Sequence, residues 1–325
     1  MKSVLSHLLA VLLAIVGGAA FAAPQEPFPS RPVRIVVPYA PGGPTDQLSR
    51  ALAERLAGAL GQTFVVENRP GGNTIIAAKV VAQAPGDGYT LFLASGASLS
   101  VNPLVYEKLP YDPVRDFTPI SLLARAPLAL VVSSKLPVNS AKELIAYIKQ
   151  RNGQFAFASN GNGNPLHLAC ELLKSIETLD MVHVPYSGTV PALTSLLSGD
   201  TQLSCDVVLN SLPQIKAGAL KALGIIGPKR TSVLPDVPTL AEQGLPDYDA
   251  SVWFALVAPR GTPQNVVERL NAVIRKALAE PSLRARFDAL ATELVSSTPG
   301  ELAELIARER AKWAPIVRRY SIKIE

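Results

Sequence analysis

From residue 33 onward, short β-branched runs alternate with stretches whose apolar positions recur three and four apart. Residues 33–39 (VRIVVPY) predict a strand, and 45–60 a helix with Leu48, Leu52, Leu56 and Leu60 on one stripe and Gly61 past its end. Residues 63–68 predict a strand, 73–84 a helix, and 89–94 a third strand after the turn PGDG. The order βαβαβ points to a parallel sheet covered by helices. A second series follows: strands at 128–133, 155–159, 181–185, 202–208 and 220–226, with helices at 141–149, 165–174 and 191–197. Ser140 and Glu143 have the spacing of a capping box, as do Thr298 and Glu301, the latter with Pro299 at the first helical position. The tail returns to one strand, 252–258, and then long helices. Its stripe Val266, Leu270, Val273, Ala277 and Leu278 must be buried against one of the two α/β units.

Two junctions interrupt this regularity in the same way. VVPYAPGGPTD (36–46) and FASNGNGNP (157–165) each run from a strand through paired glycines into a helix start. In parallel sheets such loops lie at the carboxyl edges of the strands, where ligands bind. A helix start offers amide N–H groups and a partial positive charge, which suits an anion. Two such loops facing each other would suit a small carboxylate.

The first 28 residues change the expected location. Lys2, an apolar run at 8–16 and the small-x-small set Ala20-Phe21-Ala22 fit a secretory leader cut after Ala22 or Ala23, and the run is short for a membrane span. Charge adds little: the net value is +5, with basic residues dispersed apart from Lys229-Arg230, Arg284/Arg286 and 308–319, so no nucleic-acid partner is expected. The two cysteines, Cys170 and Cys205, read as buried thiols in the first instance, although an oxidising compartment would let them pair.

Catalytic constellations are missing from the sequence. No GxxxxGK[ST], GxSxG, HExxH or CxxC occurs, and GNG at 161–163 lacks the third glycine of a dinucleotide loop. His167 and His183 lie 16 apart, without a cysteine or carboxylate at metal-ligand spacing, and read as structural. Asp46 has no visible catalytic partner and suits a helix first turn. The expectation is a binding protein, not an enzyme, with no cofactor and no metal.

The chain resembles the periplasmic solute-binding proteins of tripartite tricarboxylate transporters, the Bug family. The resemblance rests on blocks in one order along nearly the whole chain: FPSRPVRIVVPYAPGGPTD (28–46), LGQTFVVENRPGG (60–72), PGDGYTLFLAS (85–95), NPLVYEKLPYDPVRDFTPIS (102–121), HLACELL (167–173), HVPYSG (183–188), LPDVPTLAEQGLP (234–246), WFALVAPRGTP (253–263) and KWAPIV (312–317). It implies a type II periplasmic-binding fold, with two α/β domains, a hinge and a ligand cleft between them. Residues 1–22 would be the signal peptide, 24–125 plus 251–325 one domain and 126–250 the other. The implied function is capture of a small organic acid (a di- or tricarboxylate, an acidic amino acid or an aromatic carboxylate) and delivery to a membrane permease. The protein is expected to be a monomer; the alternatives are a sensor that presents its closed form to a two-component kinase and, more remotely, an exported hydrolase. The resemblance carries the ligand site onto Tyr39, Ala40, Pro41, Gly43, Thr45, Asp46, Ser95 and Ser98, and onto Ser159, Asn160, Asn164, Tyr186 and Asp206. The chain departs from the common family pattern at 73–78, in the NGNGN loop and at Cys205, all near the expected pocket wall.

Overall fold

A computed structural model describes residues 28–324 apart from 152 and 247, so the predicted leader lies outside the described residues. Two sheets form within one compact unit that begins at Arg31. The first takes β1 (Val33–Val37), β2 (Phe64–Asn68), β3 (Thr90–Ser95), β4 (Phe117–Ala126), β10 (Val252–Pro259) and β11 (Glu293–Leu294), in the order β11-β4-β10-β3-β1-β2. The second takes β5 (Leu128–Ser133), β6 (Ala156–Ser159), β7 (Val182–Pro185), β8 (Leu203–Val207) and β9 (Leu220–Ile226), in the order β7-β6-β8-β5-β9.

β1 lies between β2 and β3, parallel to both. Its near-continuous apolar run, VRIVV, suits a strand covered on both faces. α1 (Pro44–Leu60) covers it, starting at a proline and ending at Gly61 in the left-handed conformation (φ 74°), whose N–H closes on the Ala57 carbonyl. Leu48, Leu52 and Leu56 of α1 are buried, each contributing about 1.5–3 kcal/mol of burial free energy. Leu60, at the end of the expected stripe, is only partly buried. The predicted helix at 73–84 breaks in two: a 3-10 turn at Gly72–Thr74, with Asn73 and Thr74 at positive φ, precedes α2 (Ile75–Ala82).

Both sheets are mixed. β10 runs antiparallel between β3 and β4, which inserts the returning tail into the middle of the first sheet. β5 is antiparallel to β8 and β9, so the second series is parallel only through β6, β7 and β8. β4, a π-helical turn at Ala97–Val101 leading into α3 (Asn102–Val105), and β11 were not visible in the pattern. The second sheet carries α4 (Ala141–Lys149), α5 (Pro165–Glu177), α6 (Thr189–Ser198) and α7 (Val208–Lys216); the last of these was also not foreseen.

The tail helices are α8 (Gln264–Leu278), α9 (Pro281–Asp288) and α10 (Pro299–Arg319). Thr298 and Glu301 form the expected capping box at the start of α10. The expectation that the tail is buried against one unit needs correction at α10. Leu302, Leu305 and Ile306 join the core of the first sheet with Phe92 and Val257, whereas Trp313, Ile316 and Val317 join the core of the second with Leu128 and Leu168. A helix of 21 residues is about 30 Å long, enough to serve both cores.

Candidate functional site

Two adjoining cavities open where the strand ends of both sheets meet. One, of about 250 Å³, is lined by Tyr39, Asn73, Ser95, Gly96, Asn160, Asn164, Leu166, Val207, Trp253, Phe254, Glu309 and Trp313 among others. The other, of about 290 Å³, is lined by Tyr39, Pro44, Thr45, Leu48, Ala126, Thr189, Val207, Asn210, Val252, Phe254 and Thr292 among others. They share Tyr39, Val207, Val252 and Phe254, so these four side chains form the partition of a single cleft. A larger groove of about 620 Å³ beside α1 and β2 shares no lining residue with the cleft and involves neither glycine loop's tip.

Tyr39 follows β1 and sets its ring edge-on to Phe254 of β10, with centroids 6.0 Å apart. Burial raises the phenol above its usual pKa, and the neighbouring Ser95 hydroxyl works weakly in the opposite direction. Ser95 Oγ itself is buried and has no partner within hydrogen-bond geometry, so its position beside Tyr39 is proximity without a formed bond. It ends β3 and lines the first cavity. At this point the cleft meets two hydroxyls, the half-buried Tyr39 phenol and the buried Ser95 side chain.

Asp46 does different work from its neighbours. It is buried and lines neither cavity. Its Oδ2 accepts from the Gly42 N–H (3.0 Å) and Arg50 Nε (2.9 Å), and its Oδ1 accepts from Asn68 Nδ2 (2.9 Å). Asn68 Nδ2 also donates to the Tyr39 carbonyl at 3.0 Å. Burial alone would raise the carboxyl pKa, but these hydrogen bonds and the Arg50 charge outweigh it and lower it to about 2. The carboxylate therefore holds the glycine loop in shape from behind. Gly43 takes the N-cap position of α1 without a side-chain cap, and the next amide N–H groups lack intrahelical acceptors by construction.

The second loop is built differently. Asn164 caps α5, its Oδ1 accepting from the N–H groups of Leu166 and His167, both at 2.9 Å. This helix start is therefore already satisfied by the protein, unlike that of α1, and the expectation of two open anion sites is halved. Asn160 Nδ2 donates to Thr189 Oγ1 at 2.8 Å and ties the loop to the start of α6. Beneath the loop, the His167 and His183 rings stack at 3.6 Å with planes 9° apart, and Phe157 continues the stack at 4.9 Å from His183. Ser159 Oγ lies 2.7 Å from His183 Nε2, and the Gly163 N–H donates to His167 Nδ1. Burial, then the nearby His167 and Lys174, lower the His183 pKa to about 3, so the ring is neutral.

Of the residues expected at the site, Tyr39, Thr45, Ser95, Asn160 and Asn164 line the cleft. Ala40 and Pro41 sit on the exposed tip of the first loop. Ser98 is buried and occupied with the backbone of Ser95, accepting from its N–H and donating to its carbonyl. Ser159 is held by His183, and Tyr186 lies against the core around Ala192 and Leu196. Asp206 is buried at the end of β8. One oxygen accepts from Asn210, the other has no partner, and burial raises its pKa to about 6. Residues the sequence did not single out supply the apolar walls: Trp253 and Phe254 from β10, Val207 from β8, and Trp313 from α10. The block WFALVAPRGTP did mark β10, but nothing in it says that two aromatics face a cleft. Among the described residues, no Lys, Arg or His lines either cavity, and no group of His, Cys, Asp and Glu could hold a metal.

A two-sheet α/β frame with an interior cleft fed by both sheets is the architecture of a solute-binding protein. The chain belongs to the tripartite tricarboxylate transporter family receptors, whose sequence model matches residues 48–322. It is 37% identical to Protein BugT of Bordetella pertussis over 99% of both chains, which places it with the Bug proteins. It is also 36% identical to a UPF0065 protein of Pseudomonas sp. strain P51, over 97% of this chain and 94% of that one. Among solved structures it is similar to Rpa4515 of R. palustris with adipate (36% identity, TM-score 0.79, 91% of this chain and 99% of the other). It is likewise similar to MatC of Rhodopseudomonas palustris with bound malate (36% identity, TM-score 0.74, 89% and 100%) and to the periplasmic binding protein BugD (34% identity, TM-score 0.75, 92% and 100%). Adipate and malate, carried by two of these structures, are both small dicarboxylates. Among the described residues, no helix is long and apolar enough to cross a membrane.

Proposed function

We propose that this protein is an exported receptor that captures a small organic acid in the cleft and hands it to a permease of the tripartite tricarboxylate type. The observation that carries this reading is the cleft itself, with an uncapped helix start, the hydroxyls of Tyr39 and Ser95, and apolar walls from Trp253 and Phe254. A carboxylate would be held by amide N–H groups and hydroxyls, and the carbon skeleton by the aromatics. Adipate and malate in two similar structures support the acid class. The lobes would be 24–125 plus 251–325 and 126–250, hinged at the crossings between β4 and β5 and between β9 and β10. Ala126 and Val252, at those crossings, line the second cavity, so closure there would reshape it. The predicted leader would deliver the protein to the periplasm.

The test is thermal unfolding of ligand-stripped protein with adipate, malate, glutamate and benzoate. A bound acid at a thousandfold excess over Kd adds about 4 kcal/mol, a Tm rise of several degrees. Failure of every carboxylate to raise Tm, with the stripped protein shown to be folded, overturns the reading.

A further inference from the structure

We infer that Cys170 and Cys205 form a disulfide in the exported protein, clamping α5 to β8 behind the cleft. These are the chain's two cysteines, so an intramolecular bond has a single possible connectivity. Both are fully buried, and their sulfurs lie 2.6 Å apart. The Cys205 N–H points at Cys170 Sγ at 3.2 Å, and the Tyr248 hydroxyl lies 3.4 Å from Cys205 Sγ while donating to the Ala169 carbonyl. The two thiols thus face each other, with the Cys205 N–H and the Tyr248 hydroxyl beside them. Burial, and then the neighbouring Cys205, push the Cys170 thiol well above its usual pKa, so reduced Cys170 is held neutral there.

The bond must form before α5 docks, because afterwards no oxidant reaches the sulfurs. One cysteine thiolate attacks the disulfide of a thiol oxidant, either a disulfide-exchange protein or oxidised glutathione, giving a mixed disulfide and releasing one thiol. The second cysteine thiolate then displaces the oxidant's remaining sulfur. Two electrons and two protons pass to the oxidant, which leaves as thiol, and one S–S bond joins positions 35 apart in sequence. Closing so long a loop restricts the unfolded chain. The clamp sits two residues before Val207 and six after Asn164, both of which line the cleft, so it fixes one wall.

The inference rests on export, so the test reads export and bonding together. Full-length protein is expressed with its own leader, purified from the periplasm, denatured without reductant and treated with iodoacetamide, and its intact mass and N-terminus are measured. The expected result is a chain lacking its leader and carrying no alkyl group, about 2 Da lighter than the same chain after reduction, with linked peptides containing Cys170 and Cys205. Dithiothreitol should lower its Tm by about 5 °C or more while leaving the Cys170→Ala/Cys205→Ala variant unmoved. A leader-free chain that takes up two alkyl groups without reductant, both as isolated and after refolding with oxidised glutathione, overturns the disulfide without touching the receptor reading. If the leader is retained, export fails, and refolding with oxidised glutathione alone then decides whether the pair bonds.

Discussion

Replacing Asp46 by Asn keeps the shape of the side chain and removes its charge. In the native protein three donors converge on this carboxylate: the Gly42 N–H, Arg50 Nε and Asn68 Nδ2. An amide can present only one oxygen, so its NH₂ must face a donor. The folded pKa of about 2, against 3.8 unperturbed, corresponds to about 2 kcal/mol of stabilisation from ionisation in place. The side chain is 4% exposed, so that figure is little diluted by solvent, whereas Arg50 is 55% exposed and its charge contributes the lesser share. Asp46→Asn should therefore cost about 2–3 kcal/mol at pH 7. The sign follows from linkage. The folded pKa lies below the unfolded one, so the contribution is complete above about pH 4–5 and is lost as pH falls through 2, about 1 kcal/mol of it by pH 3. Urea unfolding followed by circular dichroism, on both proteins at pH 7, 5 and 3, measures the gap. A gap below about 0.5 kcal/mol at pH 7, or one that stays constant down to pH 3, would refute the assignment of Asp46 as an ionised tie for the loop.

His183 and Asp206 should pull the pH response in opposite directions. His183 titrates near 3 when folded and 6.5 unperturbed, so it costs stability as pH falls below about 6.5, and His183→Gln should flatten that loss in a Tm series from pH 7 to 4. Asp206 titrates near 6 when folded, so it costs stability as pH rises from 4 through 6, and Asp206→Asn should unfold at higher Tm than wild type at pH 7. Gly96→Ala has permissive backbone angles, but its Cβ would lie 2.8 Å from Trp253 Nε1, so it should cost about 1–3 kcal/mol and shift the tryptophan fluorescence. Asn164→Ala uncaps α5 and should lower stability by about 1 kcal/mol in urea unfolding, with weaker binding of any acid that raises Tm.

Elements whose signal is local could be read from the sequence. The stripe and terminal glycine of α1, the capping residues of α4 and α10, and the run of β1 need only their own neighbours to form. β4 was invisible because FTPISLLARA shows no alternation and contains Pro119. The strand tolerates that proline at an irregularity in its pairing with β10, where the register shifts between Leu256 and Val257. α7 was hidden by Pro213, which lies inside it. The two glycine loops announced the cleft, but its apolar half depends on β10 pairing between β3 and β4, contacts between residues about 125 to 165 apart, and no pattern within any of these segments encodes them. The division of α10 between two cores is likewise set by tertiary position, since its apolar stripe looks the same whichever core it meets.

The absence of a P-loop lysine in VVPYAPGGPTD takes on a physical reason once the site is assembled. Each carboxylate of the proposed ligand would bring a diffuse charge into a cleft walled by Trp253, Phe254 and Val207, where a buried cation would itself need to be desolvated. Pro44 and Thr45 at the uncapped start of α1 line the cleft, and Tyr39 and Ser95 add hydroxyls that need no counter-charge. Asp46, one turn into the same helix, would repel such a ligand if its charge were unquenched. Its three donors, the Arg50 guanidinium among them, quench that charge. The same carboxylate thus stabilises the loop and the helix start, and would leave the partial positive charge of the first amides to the proposed acid.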